Sequence, residues 1–134
     1  MTSLLTMLGR ATILAMALTG PAGAADLYLI SHPGVTLTAP EVREVFLGEK
    51  QFAGPVRLVP VDNAAAQEAF LTAVLKMSST KYGTAWVKKS FRDALNPPAR
   101  KSSDSEVVDF VKRTPGAVGY VTGRATGVNI IAQY

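Results

Sequence analysis

The stretch VRLVPVDNAAAQEAFLTAVL, Val56 to Leu75, decides the fold. Val56, Leu58, Val59 and Val61 form a short apolar run rich in β-branched residues, the pattern of a strand covered on both faces. Asp62 and Asn63 are expected to stop that strand. Either can cap a following helix by accepting a hydrogen bond from a free backbone N–H of its first turn. From there Ala66, Phe70, Leu71, Val74 and Leu75 recur at helical spacing and predict an amphipathic helix. A strand that delivers the chain to a helix N-terminus is where an α/β fold can hold an anion, because free N–H groups and the helix dipole point outward there. The residues at that turn, Asp62–Asn63–Ala64–Ala65–Ala66, are therefore the first candidates for function.

Working outward, Leu27–Ile30 predicts a central strand and Ser31–His32–Pro33–Gly34 a turn. His32 is the sole histidine of the chain. Thr38–Ala39–Pro40–Glu41 is a capping box with proline in the first turn, and Gly48 is placed to end that helix. Glu49–Pro55 predicts a polar loop, anchored by Phe52 and turning at Gly54–Pro55. Ser78 or Ser79 caps another helix, expected to place Tyr82, Trp86 and Phe91 on one side and Lys81, Lys88 and Lys89 in water. Leu95–Arg100 predicts an extended loop, because its paired prolines exclude helix. Ser103–Glu106 is a second capping box, and Val107, Phe110 and Val111 give its helix an apolar face. Thr114–Pro115–Gly116 ends that helix. Ala117–Val121 and Val128–Ala132 predict strands, with Gly119 marking a close backbone approach. This order, β-α-β-α-α-α-β-β, implies an α/β domain with a small mixed sheet flanked by about four helices.

At 134 residues the chain has room for one domain and one core. With 48% hydrophobic and 18% charged residues it reads as globular rather than disordered. It has no cysteine, which excludes disulfides and thiolate metal sites, and one histidine excludes a multi-histidine metal site. No nucleotide-binding glycine loop, zinc-protease motif, nucleophile elbow or calcium loop is present. Glu41, Glu44 and Glu68 read as solvated helix residues, so no catalytic residue, metal site or cofactor is assigned.

Residues 1–24 read as a cleaved leader. Arg10 supplies the positive region, Ala11–Leu18 the apolar region and Ala22–Gly23–Ala24 the cleavage site before Ala25. The apolar run is too short for a membrane span, so the mature domain, 25–134, is expected in the periplasm and does not cross the membrane. Its charge surplus is modest, which suits a small anion or an anionic envelope surface. It has no basic run interleaved with aromatics, which argues against nucleic acid.

Several of these segments together resemble the phosphate-binding proteins of ABC importers. Thr36–Val42 followed by Val45–Gly48 looks like their "L-S-x-x-E-L … I-F-L-G" segment. Pro60–Val61–Asp62 and Phe70–Leu71 fall where they have a strand and helix, Ser78 to Trp86 resembles their "S … W" helix, and Pro115–Val121 is close to their "P-G-A-I-G-Y-V" strand. The resemblance covers almost all of the mature chain but one lobe of a two-lobed protein. It implies one lobe of a type 2 periplasmic-binding fold, as in short single-lobe exported relatives, with a small oxyanion as ligand. The strand-to-helix turn departs from the family's "R-x-D-G-S-G-T". Pro60, Asp62, Ala64, Ala65 and Ala66 stand for Arg, Asp, Ser, Gly and Thr, so only Asp62 is kept. The loss of one cation and two hydroxyls removes several charge-assisted bonds, each on the order of 1.5–3 kcal/mol. Two readings follow. In one, Asp62, Asn63, Ala64 and Ala65, helped by Ser31 and His32, hold a phosphate-like oxyanion weakly. In the other, the fold serves as an envelope protein-interaction module without a ligand.

Overall fold

The computed structural model describes residues 26–134, and the expected leader, 1–24, lies outside the described residues. The chain forms β1 (Tyr28–Ser31), α1 (Ala39–Phe46), β2 (Phe52–Ala53), β3 (Val56–Arg57) and β4 (Val59–Asn63). Next come α2 (Gln67–Phe70), which continues as a π-helical turn over Leu71–Leu75, and α3 (Ser79–Asp93). The remaining elements are β5 (Ala99–Lys101), α4 (Asp104–Arg113), β6 (Ala117–Val121) and β7 (Asn129–Gln133). Five strands make one mixed sheet in the order β5-β4-β6-β1-β7. β4 runs parallel to both β5 and β6, while β1 is antiparallel to β6 and β7.

Strand alternation divides the core between the two faces of this sheet. Leu27 and Leu29 face one way and pack with α1, α2 and α3 through Phe46, Phe70, Leu75 and Trp86. Tyr28, Ile30 and Val61 face the other way and pack on Val107 and Val111 of α4. Tyr120 joins β6 to the three-helix side. Its ring stacks on Phe70 with centroids 3.9 Å apart, and Phe46 meets Phe70 edge-on at 4.8 Å.

The first capping box forms as expected: Thr38 accepts from Glu41 N, Glu41 reaches back to Thr38 N, and Gly48 follows at positive φ. The second forms in altered shape. Ser103 accepts from Glu106 N, but the Glu106 carboxylate accepts from Ser102 N and Ser102 Oγ instead of returning to Ser103. Gly119 does mark a close approach, though of side chains: a Cβ there would sit 2.9 Å from Val107 Cγ1 and 3.0 Å from Val61 Cγ1.

Four expectations are corrected. Glu49–Pro55 is not a plain loop, because Phe52–Ala53 pairs with Val56–Arg57 in a hairpin that turns at Gly54–Pro55. Phe52 anchors no core; it is half exposed under the Arg57 guanidinium. The loop over Leu95–Arg100 gives way at Ala99 to β5, which pairs in parallel with β4. Phe91 is 89% exposed, opposite Tyr82 and Trp86. Nine residues separate it from Tyr82, and at about 100° per residue that places it half a turn away.

Candidate functional site

The carboxyl end of β4 differs from its sequence reading in one decisive way. The strand does not stop at Asp62; it runs through Asn63. α2 begins only at Gln67, and its N-cap is Ala66, with no side chain to cap it. Asp62 and Asn63 are thus strand residues with other roles.

Asp62 points to the three-helix side and is 4% exposed. Tyr120 Oη donates to its Oδ1 at 2.7 Å, and Tyr82 Oη donates to its Oδ2 at 2.9 Å. Burial pushes the Asp62 carboxyl above the ordinary aspartate range, opposed by the two phenols and by Arg100. Arg100 faces Asp62 across the parallel β4–β5 pair. Burial and the adjacent carboxylate likewise push both phenols far above the ordinary tyrosine range. Asp62 therefore serves as the acceptor that ties β4, β6 and α3 together.

Asn63 is fully buried and turns to the other side of the sheet. Its Nδ2 donates to Asp104 Oδ1 at 2.8 Å and to Tyr120 O at 3.0 Å. Its Oδ1 accepts from Ala65 N at 3.0 Å. Ala64 N donates to Lys101 O at 2.8 Å, and Ala66 N donates to Asn63 O at 3.0 Å. All three alanine amides of the turn are therefore matched within the chain.

Asp104, the first residue of α4, completes this end of the sheet. Its Oδ2 accepts from Thr122 Oγ1 at 2.6 Å, Thr122 N at 3.0 Å and Gly123 N at 3.2 Å. Partial burial works against the Asp104 charge, but Thr122, Asn63 and Gly123 together hold its carboxyl below the ordinary range. An internal carboxylate thus takes the donors that converge where β4 and β6 end. The sequence pattern offered no signal for this role: Asp104 reads as a helix-start residue, and its partners lie 18 to 41 positions away.

Ser31 and His32 lie elsewhere. Ser31 pairs with Val118, which pairs with Pro60. They therefore sit level with the amino end of β4 but with β6 in between; three residues of rise and two strand spacings put them about 14 Å from Asn63. Ser31 Oγ donates to Val35 O, and His32 Nδ1 accepts from Gly34 N, so both stabilise the local turn. Of the six candidates, Asn63, Ala64 and Ala65 share the turn after β4, Asp62 points to the opposite face of the sheet, and Ser31 and His32 lie apart from all four. What the carboxyl end still offers a ligand is the uncapped first turn of α2, with Glu68 within it; the Lys101 ammonium lies over the Phe110 ring on the α4 side. Among the described residues no group of three or more potential metal ligands occurs, and no helix is long and apolar enough to cross a membrane.

No family model and no curated protein matches the chain. Solved structures share its fold. A candidate phosphate ABC transporter substrate-binding protein from Clostridium perfringens, solved with bound phosphate, aligns over 80% of this chain and 45% of its own at TM-score 0.60 and 15% identity. An ABC-type phosphate transport receptor from Vibrio cholerae aligns over 80% of this chain and 46% of its own at TM-score 0.51 and 16% identity. PstS from Borrelia burgdorferi aligns over 72% of this chain and 41% of its own at TM-score 0.52 and 17% identity. The chain spans less than half the length of these structures. The expected fold, one lobe of a type 2 periplasmic-binding protein with a mixed sheet between helices, is the observed one.

Proposed function

We propose that this chain is an exported, single-lobe solute-binding domain that takes a small phosphate-like oxyanion weakly at the carboxyl end of β4 and catalyses no reaction. The neighbours that share its fold are named as binding proteins or transport receptors rather than enzymes, which supports the class. The observation that carries the weakness is the state of the donors. Ala64, Ala65 and Ala66 N–H groups are engaged inside the chain, and the Thr122 and Gly123 donors are engaged by Asp104. The ligand is left with Asn63–Ala65 as a backing surface and the first-turn amides of α2 as donors, close to the Glu68 carboxylate. A second lobe would supply the opposing half of the grip. Ser31 and His32 take no part in this site.

Phosphate titrated into the purified domain 25–134, followed by amide NMR, tests this. The expected result is a dissociation constant on the order of millimolar, about 4 kcal/mol of binding free energy, with shifts confined to Asn63–Ala69. Micromolar binding would overturn the weak-site reading. Silence at tens of millimolar would overturn ligand binding itself and leave the protein-interaction module. Export has a separate check: the mature protein recovered from the periplasm should begin at Ala25.

A further inference from the structure

We propose that the solvent face of α3 seats the domain on an anionic lipid surface. Two observations meet on this helix. The first is charge. The described residues hold thirteen Lys and Arg against ten Asp and Glu, because Arg10 lies before them. α3 alone carries Lys81, Lys88, Lys89 and Arg92 against Asp93, a surplus of three that equals that of all the described residues. Outside α3 the described residues are balanced, nine basic against nine acidic. The second is apolar exposure. Phe91 is 89% exposed and Val87 57% exposed, one helical turn apart, and they are the two most exposed large apolar side chains among the described residues.

Both sets share one side. At about 100° per residue, Lys81, Lys88, Arg92, Phe91 and Val87 fall within an arc of about 140°. Lys89 is not in this set; its stem lies near Gly48, on the body of the domain. Arg92 touches Asp93 at 3.3 Å in an exposed pair, which leaves Lys81 and Lys88 without an acid on the helix. Beside Val87 and Phe91 an apolar groove of about 380 Å³ runs between α3 and Pro97–Pro98, floored by Tyr82 and Trp86.

A row of cations flanking protruding apolar side chains is the pattern of helices that lie at a membrane interface. The groove favours lipid over an acidic protein partner. Its walls offer little to hydrogen-bond, since Pro97 and Pro98 have no N–H, Asp62 is held by its two tyrosines, and Ser90 is the one hydroxyl free of that cluster. A protein interface carries a hydrogen bond for every 100–200 Å² or so, whereas acyl chains need none. This inference stands apart from the oxyanion reading, which concerns the carboxyl end of β4.

Co-sedimentation of the domain 25–134 with vesicles of phosphatidylethanolamine and phosphatidylglycerol, beside vesicles of phosphatidylcholine alone, tests it. Binding is expected to the anionic vesicles alone and to fall with added salt. Lys88→Gln and Arg92→Gln should each weaken it about fivefold, the share of one cation near an anionic surface. Phe91→Ser, at a side chain too exposed to support the fold, should weaken it by a comparable factor or more. No binding to anionic vesicles at low salt overturns the proposal and leaves the face to an acidic protein. Binding that survives Phe91→Ser unchanged overturns it too, because the ring would then not enter the surface.

Discussion

At the scale of single residues, Asp62 shows how a side chain that reads as a turn residue can become a buried acceptor. In the phosphate-binding pattern that the sequence resembles, an aspartate stands in the strand-to-helix turn; here it is buried and bonded to Tyr82 and Tyr120. Its raised carboxyl fixes the sign of a pH effect. Between the ordinary aspartate value and the raised one, the folded chain keeps a proton that the unfolded chain has released. That contribution is complete below the unfolded value and is lost as pH rises through the folded one. Asp104, Glu41 and Glu106 are lowered, so their contributions run the other way and are lost as pH falls. Comparison with Asp62→Asn cancels those three. The stability of wild type relative to Asp62→Asn, from urea unfolding, should be greatest below the ordinary aspartate value. It should then decline by up to about 1.4 kcal/mol per pH unit until the folded value is passed. A difference that grows with pH would mean that the two phenols outweigh burial at this carboxyl.

The elements carry the second lesson. α3 ends at Ala94 in the left-handed region, φ 55°, where a side chain costs about 1–2 kcal/mol and glycine does not. Ala94 is exposed, so Ala94→Gly removes no packing, though glycine gives back part of the gain through a freer unfolded chain. The expected net is a stabilisation of about 0.5–1 kcal/mol, seen as a melting temperature a few degrees higher in calorimetry; a lower one would show that the cap is not strained. Elements whose signal is local were legible: the Thr38 box, Gly48, the Ser78 cap, and the stop at Thr114–Pro115–Gly116. β5 was not, because a three-residue edge strand of Ala99, Arg100 and Lys101 has no apolar period, and its parallel pairing to β4 is a long-range event. The start of α2 was misplaced for a related reason. Asn63 looks like a cap from its neighbours, yet its amide is drawn to Asp104, 41 positions on, and the helix begins after the turn that results. The candidate site was legible to the same degree. Asn63 to Ala65 share one turn while Asp62 faces the other side of the sheet, and the carboxylate that takes the Asn63 donor could be found only in three dimensions.

For the whole molecule the question is whether the two halves of the core form one cooperative unit. Its two core halves lie on opposite faces of one sheet, and β1, β6 and β7 contribute to both. Leu29 and Ile30, adjacent in sequence, are each fully buried on different sides. Neither half can open without unpairing strands that the other half needs, so the domain is built to unfold as one unit. Trp86 makes this testable, because it is the single tryptophan and packs on the three-helix side, donating Nε1–H to Phe46 O at 3.1 Å. Its fluorescence reports that half, whereas far-ultraviolet circular dichroism reports all helices, α4 included. In urea both signals should trace one transition with the same midpoint and a slope of about 1–3 kcal/mol/M. A tryptophan transition at lower urea than the dichroism would show the three-helix half separating from the α4 half. The sheet would then not be a scaffold shared by the two halves of the core.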